Sequence, residues 1–264
     1  MFLLPFGVDF VGGTTPIANW VMILLNVAVG VMQFTGKIHD AELNEIIYGG
    51  WNPLSMIGSC FLHGGWDHLI GNMLFLWTFG NPVCAAIGNL RFVVAYLLLA
   101  WFSSAISYVA YDNAGIGASG AINGIVGMYL VLFPLNSVSC FWFVFYRWGV
   151  VEVAGFWLVL LWFGFDVLGA IGAGDEDVGY WAHISGLVGG IALGFLVDWL
   201  RWTLLDPEEQ CSIMALATGR NERLPKGAEH LGKSREQLTR ELNQAGVVRR
   251  PPPRPEDDSP IPMD

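Results

Sequence analysis

Long apolar stretches separated by short polar segments dominate the chain. A helix needs about 20 mostly apolar residues to cross the ~30 Å hydrocarbon core of a bilayer, and six stretches meet or approach that length. They lie at about residues 16–34, 69–88, 92–111, 118–133, 153–173 and 178–197. The pattern predicts an all-α, polytopic membrane protein with six transmembrane helices, which we number as spans one to six. A further apolar stretch at 137–146 is too short to span, and its aromatic residues favour the membrane interface.

Composition and charge divide the chain into a membrane-embedded part and a solvated tail. Hydrophobic residues make up 54% of the chain and charged residues 14%, whereas globular domains average roughly 25% charged residues. Residues 1–201 contain 4 Lys/Arg and 12 Asp/Glu, and residues 202–264 contain 9 and 11. We predict a short N-terminal segment at 1–15, a six-span domain at 16–201 and a tail over the remainder. The net charge of −10 and the lack of a basic stripe argue against nucleic acid as a partner.

The tail at 202–264 is predicted to be cytoplasmic and largely disordered. Ser234 and Gln237 have capping-box spacing, which predicts a short helix near 234–243. The Pro-rich end at 249–264 has a composition that cannot bury a core. This favours a solvated tail without a partner, and a ligand for a proline-binding domain is the alternative.

The basic residues predict the orientation of the spans. Arg91 follows span two, Arg147 follows span four and Arg201 follows span six, whereas the opposite loops contain Lys37 and an excess of acidic residues. Because basic loops stay in the cytoplasm, both termini are expected there. The first ten residues contain no basic residue, which argues against a cleaved signal peptide.

Strongly polar side chains are few within the spans, and they gather at one end of the predicted bundle. Such groups are costly in a membrane and are therefore candidates for function. His68 and Asn72 lie four residues apart at the start of span two and share a helix face. Ser119 begins span four, and His183 lies near the start of span six. Since spans two, four and six all run from the outside inward, the four side chains are expected at similar depth.

Span four is short and rich in glycine. Its roughly 16 residues extend ~24 Å, so Ser119 is expected below the outer surface, where irregular backbone is tolerated only beside a water-filled cavity. Small residues four apart let two helices approach closely. We therefore predict a contact between spans four and six that brings Ser119 to His183. The small residues are Gly120, Gly124 and Gly127 in span four and Gly186, Gly190 and Gly194 in span six.

These residue types suit hydrolysis by a serine nucleophile. Serine needs an adjacent base, and the neutral imidazole of His183 can take the proton of Ser119. The oxyanion that develops needs hydrogen-bond donors that are already in place. The candidates are the Asn72 amide, His68 and the backbone N–H of Ser119, assisted by the helix dipole of span four.

At these residues the sequence resembles the rhomboid family of intramembrane serine proteases. The similar segments are 61–80 (FLHGGWDHLIGNMLFLWTFG), 117–127 (GASGAINGIVG) and 182–190 (AHISGLVGG). Their order, their spacing and the six-span layout match as well, so the resemblance covers about residues 16–200. Three motifs in register on three spans are far more specific than any one of them.

The resemblance implies a rhomboid-like six-helix bundle in which Ser119 and His183 form a catalytic dyad. His68 and Asn72, together with the backbone N–H of Ser119, would stabilise the oxyanion. The resemblance further implies cleavage of transmembrane protein substrates near the outer face of the bilayer, without a metal or a cofactor. The compact six-span form resembles prokaryotic members, so we expect the inner membrane of a bacterium.

Two features depart from the family pattern. Many members carry an aromatic residue four positions after the serine, where it packs against the histidine, and this chain has Asn123 there. The Trp-Arg pair of some members is missing from 35–67, which would be the membrane-associated first loop.

The resemblance also implies a mobile cap over the site at 172–179. The Asn123 departure leaves open a catalytically inactive rhomboid-like protein that binds or chaperones membrane proteins.

Other interpretations of the polar residues have less support. Asp166, in the outer part of span five, is interpreted mainly as a cavity-facing or structural acid, and a role in orienting His183 is the alternative. A metal site formed by His63, His68 and His183 would lack an acidic or thiolate ligand nearby. A transporter would need paired charges along a path through the membrane or an internal repeat, and the sequence has neither.

Overall fold

Helices make up most of the fold in the computed structural model of the chain, which describes residues 2–10, 12–47, 50–111, 115–173, 179–205 and 212–218. Five helical segments in these ranges are long and apolar enough to cross a membrane, which confirms the predicted helical, multi-pass membrane protein. The predicted fourth span is a shorter apolar helix of 14 residues, about 21 Å long. The five long segments are Ile17–Phe34, Trp66–Ile87, Asn89–Tyr111, Gly155–Gly172 and Tyr180–Trp199.

The α-helices are numbered in chain order, and two of the spans contain a π-helical turn. The turns are Leu76–Gly80, between α4 and α5, and Gly169–Ala173, after α8; a 3-10 turn lies at Ser59–Phe61. The helices are α1 (Ile17–Phe34), α2 (Asp40–Ile47), α3 (Pro53–Gly58), α4 (Trp66–Phe75), α5 (Asn81–Ile87), α6 (Asn89–Tyr111), α7 (Ser119–Leu132), α8 (Gly155–Leu168), α9 (Tyr180–Trp199) and α10 (Ile213–Thr218).

The π-helical turn of span two lies where a polar side chain of span one contacts it. Asn19 of α1 is fully buried and donates from Nδ2 to the carbonyl oxygen of Leu76 at 3.0 Å and to Oδ1 of Asn81 at 2.9 Å. A Cβ on Gly80 would overlap the Asn19 amide. Because a membrane interior offers no water to a carbonyl freed by a π turn, Asn19 stabilises this irregular segment.

Three antiparallel strands, which the apolar pattern did not predict, form a sheet in the order β1-β2-β3. The stretch at 137–146, which was expected at the membrane interface, forms the middle strand and the turn after it. Thr78 of span two donates to the carbonyl oxygen of Pro5 at 3.1 Å, which holds the first strand against the bundle. The strands are β1 (Phe2–Val8), β2 (Ser137–Val144) and β3 (Arg147–Ala154).

Glycines place α7 directly against α9, which confirms the predicted contact between spans four and six. A Cβ on Gly186 would overlap the carbonyl oxygen of Gly120, and one on Gly190 would overlap that of Gly124. These are contacts between two backbones, so no side chain of any size fits between them. The helices consequently meet along a fixed line that begins next to Ser119.

The first residues of the tail fold back against the bundle. The Arg91 guanidinium donates to the carbonyl oxygen of Trp202 at 2.8 Å and lies 5.5 Å from the centre of the Trp202 ring, a cation–π geometry. Helix α10 contacts α7 and α9. The predicted helix at 234–243, the Pro-rich end and residues 174–178 of the predicted cap lie outside the described residues.

Candidate active site

Ser119 and His183, the predicted nucleophile and base, are hydrogen-bonded to each other. Ser119 is the first residue of α7, and His183 lies in the first turn of α9. The Oγ of Ser119 and the Nε2 of His183 are 2.8 Å apart. The His183 side chain is 16% exposed, so the pair is not sealed off from a reactant. The contact lies within the range that proton transfer between a nucleophile and a base requires.

A glycine brings the other two predicted residues to the backbone just before the nucleophile. Gly117 has a φ of +118°, a conformation that side chains other than hydrogen disfavour. A Cβ at this position would lie 2.8 Å from Nε2 of His68 and 3.7 Å from Nδ2 of Asn72. The structure therefore brings His68 and Asn72 together beside the segment that leads into Ser119.

Both side chains present a hydrogen-bond donor to this space. The backbone N–H of Gly64 donates to Nδ1 of His68 at 3.3 Å, so the neutral ring carries its proton on Nε2. The Nδ2 of Asn72 is buried and has no hydrogen-bond partner among the residues that the structure describes. An unpaired buried donor costs about 1–3 kcal/mol, and an incoming carbonyl oxygen would satisfy it. The oxyanion role of these groups stays a prediction.

Asp166 extends the Ser119–His183 pair to three hydrogen-bonded groups. This residue of α8 places Oδ1 at 2.9 Å from Nδ1 of His183, and its side chain is 17% exposed. The sequence favoured a cavity-facing or structural acid, and the contact supports the alternative, in which Asp166 orients His183. The available signal was a single ionisable residue in an otherwise uncharged span at the level of the site.

Asn123 does not approach His183, and a different aromatic residue does. The Nδ2 of Asn123 donates to the carbonyl oxygen of Ser119 at 3.0 Å, so the side chain turns back to its own helix. The ring of Tyr180 packs edge-on against His183 with 6.4 Å between the ring centres. Gly169 makes room for this ring, because a Cβ there would overlap it. Sequence reasoning missed Tyr180, although its position three residues before His183 places both on one helix face.

His63 is a buried neighbour of the site. Its ring lies 5.3 Å from that of His68, and the Gln33 side chain pairs with its backbone N–H and carbonyl at 3.0 and 2.8 Å. Burial lowers the pKa of His63 to about 4, so the ring is neutral near pH 7. Within the described ranges, no three His, Cys, Asp or Glu side chains are placed to hold a metal ion.

The fold and the site together define a class of protein: a multi-pass helical membrane protein with a serine–histidine pair at the start of two helices joined by glycines. Comparison with known families gives the same result, because the model of the Rhomboid domain matches residues 50–199. The chain belongs to the rhomboid family.

Several proteins named as rhomboid proteins are similar to the chain. Rhomboid protein 1, mitochondrial, of Saccharomyces cerevisiae is 28% identical over 163 residues, which cover 56% of this chain and 42% of that protein. RHOMBOID-like protein 4 of Arabidopsis thaliana is 30% identical over 159 residues, 59% of this chain and 36% of that protein. Rhomboid protease GluP of Bacillus subtilis is 33% identical over 152 residues, 57% of this chain and 27% of that protein. The chain therefore spans less than half the length of each.

Proposed function

We propose that the protein is an intramembrane serine endopeptidase that hydrolyses peptide bonds in or near the transmembrane segments of membrane proteins. The observation that carries the proposal is the 2.8 Å hydrogen bond between Ser119 Oγ and His183 Nε2. A hydroxyl is a weak nucleophile by itself, and an imidazole within hydrogen-bond reach activates it. A relative whose name includes the word protease, GluP, adds family-level support.

In the proposed acylation, Oγ of Ser119 attacks the carbonyl carbon of the scissile bond while its proton passes to Nε2 of His183. The carbonyl oxygen becomes an oxyanion, which accepts hydrogen bonds from Nδ2 of Asn72, Nε2–H of His68 and the backbone N–H of Ser119. The last donor has no partner within α7, because the first N–H groups of a helix have none. When the C–N bond breaks, Nε2 returns the proton to the leaving amine.

Deacylation repeats these steps with water. His183 takes a proton from the water as its oxygen attacks the acyl-enzyme carbonyl carbon, and the same donors hold the second oxyanion. The C–O bond to Ser119 then breaks, and Nε2 of His183 returns the proton to Oγ. The chain's own groups therefore account for both half-reactions with all protons balanced.

The length of α7 supports hydrolysis below the membrane surface. Its 14 residues extend about 21 Å, some 9 Å less than the ~30 Å hydrocarbon core. If the C-terminal end of α7 reaches the inner face, Ser119 lies beneath the level of the outer headgroups. A peptide bond near the end of a transmembrane helix is at the same depth, which makes membrane proteins in the surrounding bilayer the fitting substrates.

We place the protein in the inner membrane of a bacterium with both termini in the cytoplasm. Basic residues after spans two, four and six support this orientation. The pairing of β1 with β2 agrees with it, because the N-terminal segment and the loop after span four must then share a side. Relatives named as mitochondrial and chloroplastic make organelle membranes the alternative. Reporter fusions at residue 264 test the orientation, and an outside location of the C-terminus would contradict it.

The decisive experiment compares the wild type with Ser119→Ala and Ser185→Ala in proteoliposomes that contain a model transmembrane substrate. Ser185 is the matched control, since its Oγ donates to the carbonyl oxygen of Ala182 within α9. The wild type and Ser185→Ala should cleave the substrate and react with a fluorophosphonate probe, and Ser119→Ala should do neither. A wild type that neither cleaves nor reacts would favour the non-catalytic binder suggested by Asn123.

A further inference from the structure

The ring of His183 is held through both of its nitrogens. Nε2 faces Oγ of Ser119 at 2.8 Å, and Nδ1 faces Oδ1 of Asp166 at 2.9 Å. An ionised carboxylate only accepts hydrogen bonds, so Nδ1 carries the ring proton and Nε2 has a free lone pair. This is the tautomer that a general base for the Ser119 hydroxyl needs.

The neighbours of His183 leave this orienting role to Asp166. Asn123 occupies the position at which many family members have an aromatic residue, and its amide bonds the Ser119 carbonyl oxygen instead. The ring of Tyr180 packs edge-on against that of His183, with 6.4 Å between the ring centres, and this contact limits the movement of the His183 ring. Among the described residues, Asp166 is the acidic side chain that bonds His183.

The geometry points to Asp166 as a positioning residue that converts the family's serine–histidine dyad into a Ser119–His183–Asp166 triad in this protein. The inference rests on the proposed function. During acylation, the proton of Ser119 moves to Nε2, and the resulting imidazolium lies between the developing oxyanion and the Asp166 carboxylate. Asp166 keeps its negative charge throughout, the Nδ1 proton stays on the ring, and Nε2 passes the transferred proton to the leaving amine.

This arrangement predicts a specific effect of an amide at position 166. In Asp166→Asn, the side-chain NH₂ can donate to Nδ1, which moves the ring proton to Nε2 and removes the acceptor for the Ser119 hydroxyl. General base catalysis contributes about 10²–10⁴-fold to rate. We therefore expect kcat to fall about 100-fold or more while KM changes less than about threefold, since Asp166 bonds Nδ1 of His183 and Ser119 bonds Nε2, the other ring nitrogen.

The test uses the full-length protein with Asp166→Asn, Asp166→Glu and the control Asp9→Asn. Asp9 is an exposed acid directly after β1, and its substitution should change kcat less than about threefold. Asp166→Glu keeps a carboxylate and should retain more activity than Asp166→Asn. The ¹⁵N chemical shifts of the His183 ring should report a proton on Nδ1 in the wild type and on Nε2 in Asp166→Asn.

Two results would overturn the inference. One is cleavage by Asp166→Asn at a rate within about threefold of the wild type. The other is a fall in kcat with the proton still on Nδ1, which would make Asp166 a structural acid. If Asp166→Asn does not fold, the activity of Asp166→Glu and the ¹⁵N shifts of the His183 ring in the wild type test the inference. A proton on Nε2 of His183 in the folded wild type would also contradict the triad.

Failure of the proposed function is distinguishable from failure of the triad. A wild type that does not cleave but carries the ring proton on Nδ1, and loses it from there in Asp166→Asn, refutes the protease assignment and leaves the positioning role standing. A cleaving wild type with an equally active Asp166→Asn refutes the triad and leaves the dyad.

Discussion

Gly190 of α9 and Gly124 of α7 meet backbone to backbone, so closely that a Cβ on Gly190 would overlap the carbonyl oxygen of Gly124. The next contact along this line, between Gly186 and Gly120, lies one residue beyond the nucleophile. Backbone atoms cannot move aside by changing rotamer, so the two helices have a single close arrangement. The 2.8 Å distance between nucleophile and base therefore depends on this glycine contact.

Gly190→Ala should lower both stability and activity. The added methyl group forces α7 and α9 apart, and overpacking of this kind costs about 1–3 kcal/mol. A shift of 1 Å at reacting groups can cost about 100-fold in rate, so kcat should fall as well. Titration with SDS in mixed micelles and cleavage of the model substrate measure the two effects.

Gly164→Ala is the matched control for this substitution. A Cβ on Gly164 of α8 would meet nothing within 4 Å, and alanine favours a helix over glycine by up to about 1 kcal/mol. The control should unfold at the same or a higher SDS fraction and keep its activity. Equal behaviour of the two variants would contradict the role assigned to the glycine contact.

Gly117→Ala should impair catalysis by moving His68. The φ of +118° makes any side chain there cost about 1–3 kcal/mol, and the new Cβ would lie 2.8 Å from the His68 ring. We expect a loss in kcat and a lower SDS unfolding midpoint. Gly71→Ala, at a site in α4 where a Cβ meets nothing within 4 Å, should be neutral. Full activity of Gly117→Ala would show that His68 has no part in the oxyanion site.

Asn72→Ala should lower kcat without lowering stability. Loss of one oxyanion donor typically costs 10²–10³-fold in kcat. The Nδ2 of Asn72 has no partner among the described residues, so its removal sacrifices no hydrogen bond of that atom in the folded protein. Asn26→Ala, in a buried Asn of α1 that donates to Met22, should leave kcat unchanged. A wild-type kcat for Asn72→Ala would exclude Asn72 from the oxyanion site.

The sequence predicted the bundle and the Ser119–His183 pair because both depend on local signals. Apolar length marks a span, and glycines four apart mark a close helix contact. The contact between Asp166 and His183 could not be predicted from spacing. It joins α8 to α9, and the apolar pattern does not determine the path of residues 169–179 between these helices. The same holds for the Tyr180 ring and the room that Gly169 gives it.

The sheet escaped prediction because its sequence lacks the usual signals. Residues 137–144 contain few polar residues, so no alternation separates a strand from a short apolar helix. The turn between β2 and β3 places Phe145 and Tyr146 at φ values of 44° and 65°, where Asn-Gly would be the expected pair. Without either signal, a place at the membrane interface was the simpler interpretation.

The buried His63 should make the protein less stable in mild acid. Its folded pKa of about 4 lies below the unfolded value of about 6.5, so the unfolded state binds more protons between these values. The free energy of unfolding is therefore highest above pH 6.5 and falls by up to about 3 kcal/mol as the pH drops towards 4.

SDS unfolding at pH 7 and at pH 5 measures this loss of stability. In His63→Gln, whose new side chain does not titrate, the loss between the two pH values should be much smaller than in the wild type. His39→Gln, at an exposed histidine of the same loop, should keep the wild-type decline. The prediction fails if His63→Gln and His39→Gln lose the same amount of stability between pH 7 and pH 5. The acid sensitivity would then come from another group, such as His68, whose ring lies 5.3 Å from that of His63.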